Sequence, residues 1–88
     1  VEYVTLSLDE VRQLASAIAN SATVTRLVLV SCGLGAQEVV VISDMLRSNT
    51  VITELMLDFN RQIGPAGAQA LAEMLKINKT LKQLGLYE

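Results

Sequence analysis

Nine apolar residues recur along this chain at a nearly fixed interval, and that interval restricts the available folds more than any other feature. Val24, Leu27 and Leu29 are followed by Ile52, Leu55 and Leu57, and then by Leu81, Leu84 and Leu86. Leu27 and Leu55 are 28 residues apart, and Leu55 and Leu84 are 29 apart. A period of this length marks a repeat array, in which each unit buries its apolar face only by stacking on the next.

The correspondence reaches beyond the leucines. A shift of 28 carries Val11, Leu14, Ile18 and Ser21 onto Val39, Ile42, Leu46 and Asn49, and a shift of 29 carries these onto Ala68, Leu71, Leu75 and Asn78. Apolar residues fall on apolar ones, and small polar residues on small polar ones. Run backwards, the shift of 28 sets Val1, Val4 and Leu6 under Leu29, Cys32 and Leu34. Residues 1–88 therefore read as one segment of about three units, with phases starting near 1, 29 and 57 and a partial strand at 81–88. The non-Met start and the matching phase at both ends predict a slice of a longer array.

Within each unit the pattern alternates between strand and helix. Ser7 with Glu10 is a capping-box pair, and Val11, Leu14, Ala15, Ile18 and Ala19 form an i, i+3, i+4 stripe, which predicts a helix from about Ser7 to Asn20. Further helices are expected over Ala36–Ser48, with Val39, Ile42, Met45 and Leu46 inward, and after Pro65, with Ala68, Leu71, Ala72 and Leu75 inward. Thr25–Val30, Thr53–Asp58 and Lys82–Tyr87 alternate in the period-2 manner of strands. A loop at Arg61–Gly64, one residue longer than its predecessor, is expected to account for the 29-residue interval. Strands separated by helices cannot form tight hairpins, so they must pair in parallel.

The segments VTRLVLVSCGL and ITELMLDFNRQI resemble the leucine-rich repeat consensus L-x-x-L-x-L-x-x-N/C-x-L, with Cys32 and Asn60 at its Asn/Cys position. The repeat length and full helix resemble the ribonuclease-inhibitor-like class. The stretch ALAEMLKINKTLKQL, from Ala70 to Leu84, is also similar to repeats of tropomodulin-type actin-end-capping proteins and of innate-immune receptors. Val4 departs from the pattern by standing where Asn or Cys is expected. The resemblance implies a right-handed α/β solenoid, parallel strands on its concave face and helices on its convex face. An Asn at the strand exit can donate and accept at once, serving backbone groups in its own coil and the neighbouring one. Cys32 offers only a weak S–H donor and reads as a buried ladder residue.

Composition narrows the function. Hydrophobic residues make up 51% of the chain and aromatics 3%, so the core must be aliphatic. A net charge of −2 supplies no electrostatic footprint for nucleic acid or an acidic membrane, and no apolar run is long enough to span a bilayer. The chain has no histidine and one cysteine, so triads, common metal sites and an internal disulfide lack their usual members. Gly64-Pro65-Ala66-Gly67 lacks the Lys-Ser/Thr of a phosphate loop and reads as a helix entry. Asp9 and Glu10 suit the positive end of a helix dipole. The expectation is a protein that is not an enzyme and uses no cofactor or metal. The absence of cysteine-stapled caps points to an intracellular, cytoplasmic setting.

The remaining organised surface is the strand face. Arg26, Glu54 and Gln83 should form one column, Val28, Met56 and Gly85 a second, and Val30, Asp58 and Tyr87 a third, with Arg26 and Glu54 close enough to pair. A purely structural sheet can fill such positions with Thr or Lys. Val28, Val30 and Met56 place an apolar patch there instead, as a protein-binding face requires. The expected function is a protein–protein interaction module, with a structural spacer, an autoinhibitory arm or an actin-regulatory segment as alternatives. Phe59, beside Asn60, faces either a ligand or the loop. On the middle helix, Val40 and Val41 replace the Arg12/Gln69 and Gln13/Ala70 of the sister units, which leaves a second apolar patch, covered by adjoining helices or free for contact. Self-association through uncapped ends is a further expectation.

Overall fold

The structure, a computed structural model, describes residues 5–87. Val1–Val4, including the anomalous Val4, and Glu88 lie outside the described residues. Helix and strand alternate as α1 (Leu8–Ala19), β1 (Arg26–Val28), α2 (Ala36–Leu46), β2 (Glu54–Met56), α3 (Gly64–Ile77) and β3 (Gln83–Gly85). The strands form one parallel sheet in the order β1-β2-β3, with Leu27, Leu55 and Leu84 in register. The strands are shorter than the alternation predicts, but bonding continues past them. Leu29 N donates to Met56 O, Ser31 N to Asp58 O and Phe59 N to Tyr87 O, so the paired backbone follows most of the predicted length.

The helices form the second layer, α1 against α2 and α2 against α3. Leu27, Leu29, Leu55 and Leu57 come from the sheet side and meet Val11, Val39, Ile42, Leu46, Leu71 and Met74 from the helices. Leu34, Ile52 and Ile63 close the core from the connections. Fully burying an aliphatic side chain of this size stabilises by about 1.5–3 kcal/mol.

Local chemistry fixes the helix starts. Glu10 N donates to Ser7 Oγ at 3.2 Å and Ser7 N to Glu10 Oε1 at 2.8 Å, which completes the predicted capping box. Gly35 N donates to Glu38 Oε1 at 2.7 Å at the start of α2, and Pro65 occupies the first turn of α3. Ser31 and Phe59, one period apart, both sit in the left-handed region at φ 55° and 62°. The same sharp turn thus leaves both strand exits whatever side chain is present.

The third helix departs from the expected phase. Gly67, Leu71 and Met74 are its buried residues, whereas Ala68, Ala72 and Leu75 are exposed. Gly67 and Met74 follow Val39 and Leu46 by 28 residues, and the helix starts are also 28 apart. The loop at Arg61–Gly64 is therefore no longer than its predecessor. The additional residue lies at the C-terminal end of α3, where three residues separate Met74 from Asn78 and two separate Leu46 from Asn49. In α2, Met45 is half-buried and Ser43 takes a core position, 1% exposed, with no hydrogen-bond partner for its hydroxyl. Gly67 has a structural reason: a Cβ there would meet Ile63 Cγ2 at 2.5 Å and Ala36 Cα at 3.4 Å, so its bare backbone lets α3 close on α2.

Candidate functional site

Alternation along each strand turns the leucines into the core and the residues between them outward. The expected columns form. Arg26, Glu54 and Gln83 are register partners, as are Val28, Met56 and Gly85. Arg26 Nε lies 2.9 Å from Glu54 Oε2. Arg26 is mostly exposed, so the pair contributes about 0–1 kcal/mol.

The middle column is apolar. Val28 is 48% exposed and Met56 is half-buried. Gly85 is a gap that its neighbours use, since a Cβ there would fall 2.7 Å from Met56 Cε and 2.9 Å from Asp58 Oδ1. Met56 and Asp58 therefore lie over the backbone of β3. Val30 is half-buried beyond them. Asp58 Oδ1 accepts from Tyr87 N at 2.8 Å, which ties one carboxylate oxygen to the chain beyond β3. Phe59 meets Tyr87 edge to face, with ring centroids 5.5 Å apart and planes at 89°. That contact places Phe59 over the chain beyond β3. The face thus runs from the Arg26–Glu54 pair, across Val28, Met56 and Val30, to Asp58 beside the two rings, with Gln83 exposed at the β3 margin.

Asn60 holds the strand exits together. Its Oδ1 accepts from Cys32 N at 2.9 Å and Leu34 N at 3.0 Å. Its Nδ2 donates to Leu29 O at 2.7 Å, Leu57 O at 2.9 Å and Asp58 O at 3.4 Å, joining its own unit to the preceding one. Cys32 is half-buried, not buried, and its Sγ reaches only Val30 O at 3.5 Å. Burial raises the thiol pKa, which disfavours the nucleophilic thiolate.

Sequence reasoning missed a second asparagine ladder at the helix-to-strand turns. Asn49 Oδ1 accepts from Val51 N and Ile52 N, and its Nδ2 donates to Ala19 O at 3.4 Å. Asn78 repeats this with Thr80 N and Leu81 N, and donates to Leu46 O and Asn49 O at 2.6 and 3.2 Å. The small-polar column of Ser21, Asn49 and Asn78 was the available signal. Ser21 Oγ accepts from Thr23 N and Val24 N in the first copy.

On the helix layer, Val40 is 39% exposed and Val41 packs partly against the core. They line an open groove of about 510 Å³ with Leu8, Arg12, Gln37 and Asp44. Among the described residues, no three side chains of the metal-ligating types cluster, and no helix is long and apolar enough to cross a membrane.

No family model and no curated protein matches the chain. Among solved structures, it is similar to leiomodin-1 actin-binding site 2, with a TM-score of 0.74 at 20% sequence identity. The match covers 90% of this chain and 45% of that one, so the chain spans less than half of that structure. Three helices alternating with three parallel strands are compatible with a leucine-rich-repeat-like α/β fold.

Proposed function

We propose that this chain is a non-catalytic protein-interaction segment, built as a right-handed leucine-rich-repeat solenoid of the ribonuclease-inhibitor-like class. Its partner contacts the outward strand face at Arg26, Val28, Val30, Glu54, Met56, Asp58, Gln83 and Tyr87. The apolar strip of Val28, Met56 and Val30 between two polar ends carries the reading, because an interface needs a dehydrating centre inside a polar rim. The absence of histidine and the raised thiol pKa support the non-catalytic part. An intracellular setting belongs to the same proposal.

Actin is the favoured partner, because the similar structure is an actin-binding site. Fluorescence polarisation of the labelled chain against monomeric actin, with sedimentation on filaments, tests it. Val28→Lys with Met56→Lys should abolish binding while Val40→Lys keeps it. A spacer would bind in neither form. Binding that survives the strand-face substitutions refutes that face as the contact.

Leu75, Ile77 and Leu86, 40%, 53% and 45% exposed, support self-association as a further part of the proposal. Sedimentation that stays monomeric to concentrations on the order of hundreds of micromolar removes it.

A further inference from the structure

One end of the strand face carries two residues that the repeat does not ask for. Asp58 and Phe59 stand where the preceding unit has Val30 and Ser31. Both strand exits make the same left-handed turn, Ser31 at φ 55° and Phe59 at φ 62°, so a small polar residue serves the fold there. A bulky side chain is an uncommon occupant of that backbone region, where glycine or a short polar side chain meets the least steric resistance. Phe59 is also 42% exposed, and Tyr87, the ring it meets edge to face, is 72% exposed. An edge-to-face pair occupies one ring face only, and at these exposures the two rings still present aromatic surface to solvent.

The charge beside the rings is uncommitted. Tyr87 follows Asp58 in the third outward column, and its N–H donates to Asp58 Oδ1 at 2.8 Å, which fixes the carboxylate against the backbone that carries the second ring. A carboxylate has about four acceptor sites on its two oxygens, and this bond uses one. Among the described residues Asp58 has no basic partner, whereas Glu54, at the opposite end of the face, is matched by Arg26 at 2.9 Å.

A carboxylate beside open aromatic surface suits one side chain above others. A guanidinium is planar, always charged, binds a carboxylate through two parallel N–H groups and stacks on aromatic rings; an ammonium is a strongly hydrated point charge. We infer that an arginine of the protein partner specifies the strand-face contact, its guanidinium on Asp58 and against the Phe59–Tyr87 pair, beside apolar partner residues on Val28 and Met56. The inference rests on the strand face being the contact and adds the chemical group which that face selects.

A display library of random peptides, selected on the whole chain and measured by fluorescence polarisation, tests the assignment. Asp58→Asn keeps an oxygen for Tyr87 N and removes the charge, and Phe59→Ser installs the side chain used at the first strand exit; both are checked for unchanged thermal unfolding. Enriched peptides should share an arginine. Its change to lysine and Asp58→Asn should each weaken binding about tenfold, and Phe59→Ser about two- to fivefold. The arginine-to-lysine comparison needs no variant of the chain. Peptides that share no arginine yet lose affinity on Val28→Lys overturn the arginine assignment and leave the strand face as the contact. Arginine peptides indifferent to Asp58→Asn overturn it as well, as does a selection with no enrichment. Sensitivity to Asp58→Asn with indifference to Val28→Lys and Met56→Lys upholds the arginine site and removes the apolar strip from the contact.

Discussion

Replacing Asn60 with alanine removes four hydrogen bonds of 2.7–3.0 Å and one of 3.4 Å from a residue only 4% exposed. The groups left behind matter more than the bonds themselves. Cys32 N and Leu34 N lose their acceptor, and Leu29 O and Leu57 O lose their closest donor. A buried orphan costs about 1–3 kcal/mol, and water entering the vacated space recovers part of it, so the substitution should cost about 3–6 kcal/mol. A chain of this length has about 4–13 kcal/mol in total, so Asn60→Ala should come close to unfolding it. Asn60→Asp gives a control with a sign. It keeps an acceptor but turns an oxygen toward the Leu29 and Leu57 carbonyls, which raises the folded-state carboxyl pKa above its unfolded value. The protonated acid can still donate to one carbonyl. Its deficit against wild type should be smallest near about pH 3 and widen as pH rises through the folded pKa, while that of Asn60→Ala stays flat. Urea unfolding followed by far-UV circular dichroism across that range measures both. A cost below about 1 kcal/mol for Asn60→Ala, at unchanged denaturant slope, or a pH-independent Asn60→Asp deficit, refutes the ladder argument.

Ser43→Ala should be neutral or stabilise by up to about 1 kcal/mol, because it deletes a buried hydroxyl that has no partner; a loss in the same urea titration would show that the hydroxyl is satisfied. Gly67→Ala should cost about 1–3 kcal/mol by forcing α3 away from Ile63 and Ala36, and a thermal midpoint equal to wild type would contradict the close approach. The Cys32 thiol has its pKa raised above the ordinary 9.0 by burial, so its contribution to stability is present below that value and is lost as pH rises through the folded pKa. Unfolding at increasing alkaline pH should therefore show a stability loss in wild type that Cys32→Ala lacks.

The repeated leucines made most of the fold legible. Their period placed Leu27, Leu55 and Leu84 in one register and implied parallel strands, and the same arithmetic located the columns that begin at Arg26 and Val28. It failed at α3, because one added residue fits equally well before the helix or at its end. Aligning on Asn78 and Leu81 carried that residue back through the helix and turned Ala68 inward in place of Gly67. Hydrophobic periodicity also passes over a serine, so Ser43 could not be seen as a core residue. On the strand face, the identity of the outward residues was readable, but their mutual arrangement was not. Met56 lying over Gly85, Asp58 bonding Tyr87 N and Phe59 meeting Tyr87 all depend on side-chain torsions that no spacing encodes.

The asparagines at the helix-to-strand turns give the chain a direction of assembly. The carbonyl of Ala19, the last residue of α1, is met by Asn49 of the next unit, and that of Leu46, the last of α2, by Asn78 of the one after. Local residues close part of each helix end, but these two carbonyls are met by a side chain about thirty positions later in the sequence. Without Asn49 the Ala19 carbonyl is left to water, and without Asn78 so is that of Leu46. Each unit therefore secures a helix end of the unit before it, so the bond runs backwards along the chain while the chain itself runs forwards.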